Sequence, residues 1–110
     1  MAYDEDLANR IRELLGSERG VEEKRMFGGL AFLINGHMSV AASGQGGLLV
    51  RVPPDDTDKL LERAHVGAMV MSGREMRGWL HVDLEGVHTK RQLQGWVTRG
   101  VGYARSLPAK

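Results

Sequence analysis

Apolar residues fall at helical spacing near the start of the chain. In "DEDLANRIRELLGS" they lie on one helical stripe, and acidic residues occupy the first turn, where the helix dipole favours negative charge. The members of the stripe are Leu7, Ile11, Leu14 and Leu15. The pattern predicts a first helix from about Asp4 to Leu15.

The next apolar stretch, "KRMFGGLAFLINGHMSVAA" (Lys24 to Ala42), predicts a β-hairpin. Asn35-Gly36 separates two apolar runs and favours the two-residue turn in which both residues take a positive φ. Such a turn fixes the register. The expected pairs are Leu33–Met38, Ala31–Val40 and Gly29–Ala42 on one face, and Ile34–His37, Phe32–Ser39 and Leu30–Ala41 on the other. Gly28-Gly29 indicates a bend, a bulge or a close backbone approach where the first strand starts.

The rest of the chain mixes extended and helical patterns. "LLVRV" (Leu48 to Val52) predicts a strand, and "DDTDKLLERAHVG" predicts a short second helix that starts with acidic residues. "RGWLHVDLE" alternates as a strand does, whereas "AMVMSGREM" is ambiguous and is interpreted as irregular with a few extended residues. Thr89 and Gln92 have the spacing of a capping box for a last helix, on which we expect Trp96 to be buried. The apolar side of that helix is Leu93, Trp96, Val97, Val101 and Ala104.

Together these elements predict an α+β fold with two layers, a mainly antiparallel sheet with helices packed on it, in the order α-β(3-4)-α-β-α. At 110 residues the chain suits one domain, to which we assign residues 1–110. Hydrophobic residues at 42% and charged residues at 26% are ordinary for a folded soluble protein. The formal charge of +1 gives no electrostatic case for an obligatory nucleic-acid or membrane partner.

Cysteine is absent, which removes disulfides and thiolate chemistry and suits a reducing cytoplasm. The acidic N-terminal stretch lacks the apolar core of a signal peptide, and no run has the length and apolarity of a membrane span. We therefore expect a soluble, cytoplasmic protein that has no membrane partner.

The segment "KRMFGGLAFLINGHMSVAASGQGGLLVRVPP" resembles the N-terminal domain of the TfoX/Sxy family. The resemblance is carried by "RMFGG" (Arg25 to Gly29), the apolar strand behind it, the Asn35-Gly36 turn and the strand at Leu48 to Val52, and it extends to "LQGWV" (Leu93 to Val97). The family is associated with the regulation of competence genes, and its full-length members carry a second, C-terminal domain. The resemblance thus implies a stand-alone copy of the N-terminal domain, a regulatory role and no assigned catalytic residue.

Motifs for catalysis or cofactor binding do not emerge from the sequence. The glycine-rich stretches lack the Lys-Ser/Thr pair that follows a phosphate loop, and the serines lack a nucleophile elbow. Among the four histidines, His81 shares a strand face with Asp83, and two ligands are too few to hold a metal. We predict a protein that is not an enzyme and that has no catalytic, cofactor-binding or metal-binding residues.

Two groups of residues are candidates for partner binding. Leu30, Phe32 and Ile34 form one face of the first hairpin strand, which stays open if the helices pack on the opposite face and which would then bind a protein partner or a second copy of the chain. The alternative is that the chain's own helices cover both faces. The second group consists of basic residues near or on the last helix that point away from its apolar side: Lys90, Arg91, Arg99 and Arg105.

The sequence therefore predicts a small cytoplasmic regulatory or adaptor domain that acts through protein–protein contacts, with transcriptional or competence-type regulation implied by the resemblance. Its partner is an unknown protein or a second copy in a homodimer. The alternative is a nucleic-acid-binding accessory protein that uses the basic last helix, although a solvated helix face has the same appearance.

Overall fold

The computed structural model describes residues 3–26, 28–71 and 73–108, and these form three helices and six strands. The helices are α1 (Glu5–Leu14), α2 (Thr57–Leu61) and α3 (Lys90–Ser106). The strands are β1 (Val21–Met26), β2 (Gly29–Ile34), β3 (His37–Ala42), β4 (Leu48–Arg51), β5 (Val66–Met71) and β6 (Arg74–Val82). Turns of 3-10 helix cover Pro54–Asp56 and Leu84–Val87.

All six strands belong to one antiparallel sheet in the order β1-β2-β3-β4-β6-β5. This confirms the predicted α+β class and the mainly antiparallel sheet. The strands at the two edges, β1 and β5, are those that the sequence pattern did not delimit. In particular, β5 lies largely in the stretch that was predicted to be irregular with a few extended residues. That expectation is wrong because the six residues "VGAMVM" include no polar side chain, so no alternation marks them as a strand.

The predicted turn between β2 and β3 is confirmed. Asn35 has a φ of 52° and Gly36 a φ of 88°, and these are the positive values that a two-residue hairpin loop requires. The close backbone approach predicted at the start of β2 is also present. A side chain at Gly29 would collide with the carbonyl oxygen of Ala42 on β3.

The register beyond the turn differs from the expected one. Ile34–His37 and Leu33–Met38 pair as predicted, but a shift between Phe32 and Leu33 leaves Ser39 as an extra residue on β3. The buried Ser39 hydroxyl donates a hydrogen bond of 2.8 Å to the carbonyl oxygen of Phe32. A β-bulge of this kind displaces every later pair by one residue. The observed pairs are Phe32–Val40, Ala31–Ala41 and Leu30–Ala42.

The bulge decides which face of the sheet the helices cover. It brings Val40 and Ala42 onto the same face as Leu30, Phe32 and Ile34, so both strands present apolar side chains there. Residues of all three helices pack against this face in one core cluster. Phe32 and Ile34 are fully buried, and Leu30 is 5% exposed. The expectation that these three residues form an open partner-binding face is therefore wrong.

The opposite face of the sheet, which we call the open face, carries a second and smaller cluster of buried residues. Its members are Ala31, Met38, Ala41, Leu49 and Met69, with Met26, Leu33 and Trp79 packed against them at partial exposure. Every one of them belongs to a strand, so among the described residues no helix contributes to this cluster. The small alanines are sheltered by the longer side chains around them.

The last helix follows its predicted pattern. Thr89 accepts a hydrogen bond from the Gln92 backbone N–H at 3.1 Å, and the Gln92 side chain accepts one from the Thr89 N–H at 2.9 Å, which confirms the capping box. Trp96 is 6% exposed, as its place on the apolar side of α3 predicts. In the described part of the chain, no helix has the length and apolarity needed to cross a membrane.

Candidate functional site

The two edges of the sheet differ in chemistry. The outer strand β1 carries the run Glu22 to Arg25, in which all four side chains are charged and exposed. Charged side chains protect an edge strand from pairing with another chain. The other outer strand, β5, carries no charge, and Val70 is 61% exposed on it. We call the unpaired side of β5 (Val66–Met71) the β5 edge.

The hydrogen-bond pattern shows which backbone groups the β5 edge presents. The Asp83 N–H donates to the His65 carbonyl oxygen at 3.0 Å, so these residues form a hydrogen-bonded pair next to the strand. Antiparallel strands alternate between hydrogen-bonded and non-hydrogen-bonded pairs. Gly67 therefore points its backbone groups toward β6, whereas Val66 and Ala68 point theirs away from the sheet.

A groove of about 490 Å³ runs beside the β5 edge on the open face. Its walls include Leu49, Met69 and Val70, and its polar end includes His81 and Gln45. A side chain at Gly67, also in the lining, would meet no atom within 4 Å, so the space above this residue is open. The groove adds an apolar surface to the unpaired backbone of the β5 edge.

His81 and Asp83, which the sequence placed on one face of a strand, do not form a joint binding site. The His81 Nε2 atom lies 2.7 Å from the Gly46 carbonyl oxygen. Asp83 instead accepts from the Gly86 N–H at 3.1 Å and lies 3.2 Å from Nδ1 of His65. Across the described ranges, no group of three or more His, Cys, Asp or Glu side chains is arranged to hold a metal ion.

The structure separates the basic residues that were predicted as nucleic-acid contacts. Arg105 forms an ion pair of 2.8 Å with Glu18 and donates to the Arg19 carbonyl oxygen. Arg91 and Arg99 instead line one cavity between α3 and the loop after α2, and Lys90 is exposed at the start of α3.

Arg63, which the sequence reasoning did not single out, completes this cavity. Its guanidinium carbon lies 5.0 Å from the ring centroid of Trp96, and that of Arg99 lies 5.7 Å from the same centroid. We call the cavity bordered by Arg63, Arg91, Arg99 and Trp96 the arginine pocket. Because Arg63 lies 28 or more positions before the other two arginines, only the tertiary structure brings the three together.

The pKa values of two paired side chains, Arg12 and Glu23, are shifted at the edge of the helix-covered face. Arg12 on α1 forms a two-pronged hydrogen-bonded pair with Glu23 on β1, at 2.7 and 2.8 Å. These bonds favour the charged carboxylate and hold the pKa of Glu23 below its ordinary value, and they raise the pKa of Arg12. The pair is partly exposed, so its role is to fix α1 against β1 rather than to perform chemistry.

Comparison with known proteins gives one assignment. No curated protein and no solved structure shows a significant match to the chain. The profile of the TfoX N-terminal domain matches residues 13–104, which include the end of α1, the whole sheet and nearly all of α3. This family is of a regulatory, competence-related type and is not known for enzymatic activity. The chain belongs to the TfoX N-terminal domain family.

Proposed function

We propose that this protein is a cytoplasmic regulatory or adaptor domain that acts through protein–protein contacts, and that its contact element is the β5 edge. The observation that carries the proposal is an outer strand without charged side chains beside a groove that has apolar walls and a polar end. Edge strands that keep their backbone groups unpaired and lack protective charges are templates for adding another strand.

The occupant that the β5 edge fits is a second copy of the same strand. An antiparallel pair of β5 strands related by a two-fold axis at Ala68 would place Val66 of one copy opposite Val70 of the other. Every residue in this pairing is apolar or glycine, so no like charges meet. The backbone groups of Ala68 would gain hydrogen-bond partners, whereas the Val66 N–H already donates to the Arg63 carbonyl oxygen at 3.4 Å. The two grooves would lie side by side.

Sedimentation at several protein concentrations tests this proposal. Val70→Lys places a charge on the β5 edge at a side chain that is already exposed, so we expect a folded protein that no longer associates. Leu84→Lys is the matched control, because Leu84 is also an exposed large apolar residue, at 48%, and lies outside the β5 edge. We expect the wild type and the control to form dimers at micromolar concentration.

Two results would count against the proposal. The first is a wild type that sediments as a monomer at about 100 μM, because a dimer of micromolar affinity would be saturated at that concentration. This result would show that a second copy does not occupy the β5 edge. Equal loss of association in both lysine variants would assign the effect to general surface charge. Protection of the Ala68 amide against hydrogen exchange at high protein concentration would identify the strand that pairs.

The alternative function, a nucleic-acid-binding accessory protein, is supported by Arg91 and Arg99, which lie near each other with Lys90 on the same helix. Arg105 adds little to it because Glu18 neutralises its charge locally. Binding to duplex DNA at two salt concentrations separates the functions, since contacts to several phosphates weaken steeply as salt rises.

A further inference from the structure

The arginine pocket contains cations that lack an ionic partner. Arg12, Arg77 and Arg105 each lie within 4.0 Å of a carboxylate oxygen, whereas in the described ranges no such contact involves Arg63, Arg91 or Arg99. Three guanidinium groups that border one cavity repel each other. A bound anion between them would offset this repulsion. This local excess of positive charge contrasts with the net charge of +1 for the whole chain.

Contacts within the chain position two of the three arginines before any ligand enters. Trp96 is nearly buried, and the guanidinium groups of Arg63 and Arg99 lie near its ring. The loop that carries Arg63 is anchored two residues later, where His65 takes a left-handed φ of 69° and lies 3.2 Å from Asp83. The contacts of Arg63 and Arg99 with the Trp96 ring reduce the conformational entropy that these two exposed side chains lose when they bind an anion. The planar forks of guanidinium groups match phosphate oxygens.

The size and walls of the pocket match a small ligand. It encloses about 420 Å³, and small-molecule sites in proteins begin near 300 Å³. Gly95 in its wall meets no atom within 4 Å at the position of a side chain, so the space in front of α3 is free. Carboxylates also lie near the pocket: those of Asp83 and Glu85 are 3.2 and 3.8 Å from Nδ1 of His65. Asp56 borders a neighbouring cavity together with Arg63 and Arg99.

We infer that the arginine pocket binds the phosphate group of a small phosphorylated molecule. A concave site with three arginines suits one phosphate, whereas a nucleic-acid backbone needs a longer row of cations, and Arg105 is withdrawn from such a row by Glu18. The inference is independent of the β5 edge, since the pocket lies between α3 and the loop after α2, away from the open face.

Titration with inorganic phosphate and with phenyl phosphate, followed by NMR, tests the inference. We expect a saturable shift of the Trp96 indole N–H resonance and no comparable shift of the Trp79 resonance. Chloride at equal ionic strength is the control for screening.

Gly95→Glu introduces a carboxylate at the open wall and replaces glycine inside a helix, so it keeps the fold. It should weaken phosphate binding by about tenfold or more, because its charge pairs with the arginines.

Gly102→Glu is the matched control, since it makes the same change on α3 at a position that also faces open space but does not line the pocket. Its affinity for phosphate should stay within about twofold of the wild type. Arg91→Gln should weaken binding without affecting stability. Phosphate shifts that do not saturate, or that persist unchanged in Gly95→Glu, overturn the inference. Binding of a short duplex DNA that is tighter than phenyl phosphate and lost in Gly95→Glu would assign the pocket to nucleic acid instead.

Discussion

The two faces of the sheet bury apolar residues in different ways. On the helix-covered face, large side chains such as Phe32, Ile34 and Leu80 are fully enclosed by α1, α2 and α3. On the open face, strand residues cover one another, and Leu33 and Trp79 stay partly exposed. The run "LAFLI" on β2 is equally apolar toward both sides. The difference therefore comes from what the neighbouring strand presents, not from the hydrophobicity of β2.

The bulge at Ser39 sets this difference. Without it, Val40 would lie on the face of Leu33, and the face of Phe32 would be flanked by serine and alanine. With it, the large residues of β2 and β3 share one face, which is the face that the helices cover. One extra residue in a strand is thus enough to reassign the core, because side chains alternate with a period of two.

Phe32→Ala should have the largest effect on stability. Removing a fully buried aromatic side chain leaves a cavity beneath the helices and should lower the free energy of unfolding by about 3–5 kcal/mol. Urea denaturation followed by circular dichroism measures this loss. A loss below about 1 kcal/mol would show that the helix-covered face repacks freely and would remove the contrast between the faces.

Leu33→Ala makes a comparable truncation on the open face of the same strand. Leu33 is partly exposed and has no helix above it, so the cost should be about 1–2 kcal/mol, less than the loss at Phe32. The same denaturation experiment gives the comparison. Equal losses at both positions would indicate that the open face is as tightly packed as the other.

Ser39→Ala tests the bulge itself. The change removes the buried hydrogen bond to the Phe32 carbonyl oxygen and should cost about 1 kcal/mol, the usual net value of such a bond. Cross-strand contacts measured by NMR between Phe32 and Val40 show whether the register survives. If these contacts persist and stability is unchanged, the packing of the helices, rather than the hydroxyl, holds the bulge in place.

Glu23→Gln should have the smallest effect. Glu23 lies opposite Phe32 at the margin of the helix-covered face, where Arg12 of α1 lowers its pKa from an ordinary value of 4.5. A lowered pKa in the folded state contributes stability above the unfolded value, and this contribution is lost as the pH falls through the folded pKa. The variant should therefore be slightly less stable than the wild type at pH 7, and this difference should decrease as the pH falls below 4.5, in denaturation curves at low salt. A difference that does not decrease on acidification would mean that packing, not charge, accounts for it.

The features that were predicted correctly from the sequence are those that neighbouring residues determine. Asn35-Gly36 sets its own turn, and Thr89 with Gln92 caps α3 within one helical turn. The bulge was missed because it depends on a hydrogen bond between Ser39 and a carbonyl oxygen on the facing strand. That error placed the open face on the wrong side of β2.

The candidate sites were less accessible to sequence reasoning. The β5 edge has no alternation because it lacks polar residues, so its strand and its exposure appear only when the order of the sheet is known. For the arginine pocket, the sequence identified Arg91 and Arg99, but as part of a helix surface. Their approach to Arg63 around Trp96 requires the loop after α2 to meet α3.

The position of α3 along the chain has a consequence for biosynthesis. Phe32 emerges from the ribosome early, yet much of its cover comes from α3, which is made last. At about 5–20 residues per second, the apolar face of the nascent hairpin remains uncovered for several seconds. Chains that stop before Leu93 would retain this exposure permanently, and we expect them to aggregate or to remain bound to chaperones. The time between the emergence of β2 and the completion of α3 is therefore the period in which this protein most needs assistance.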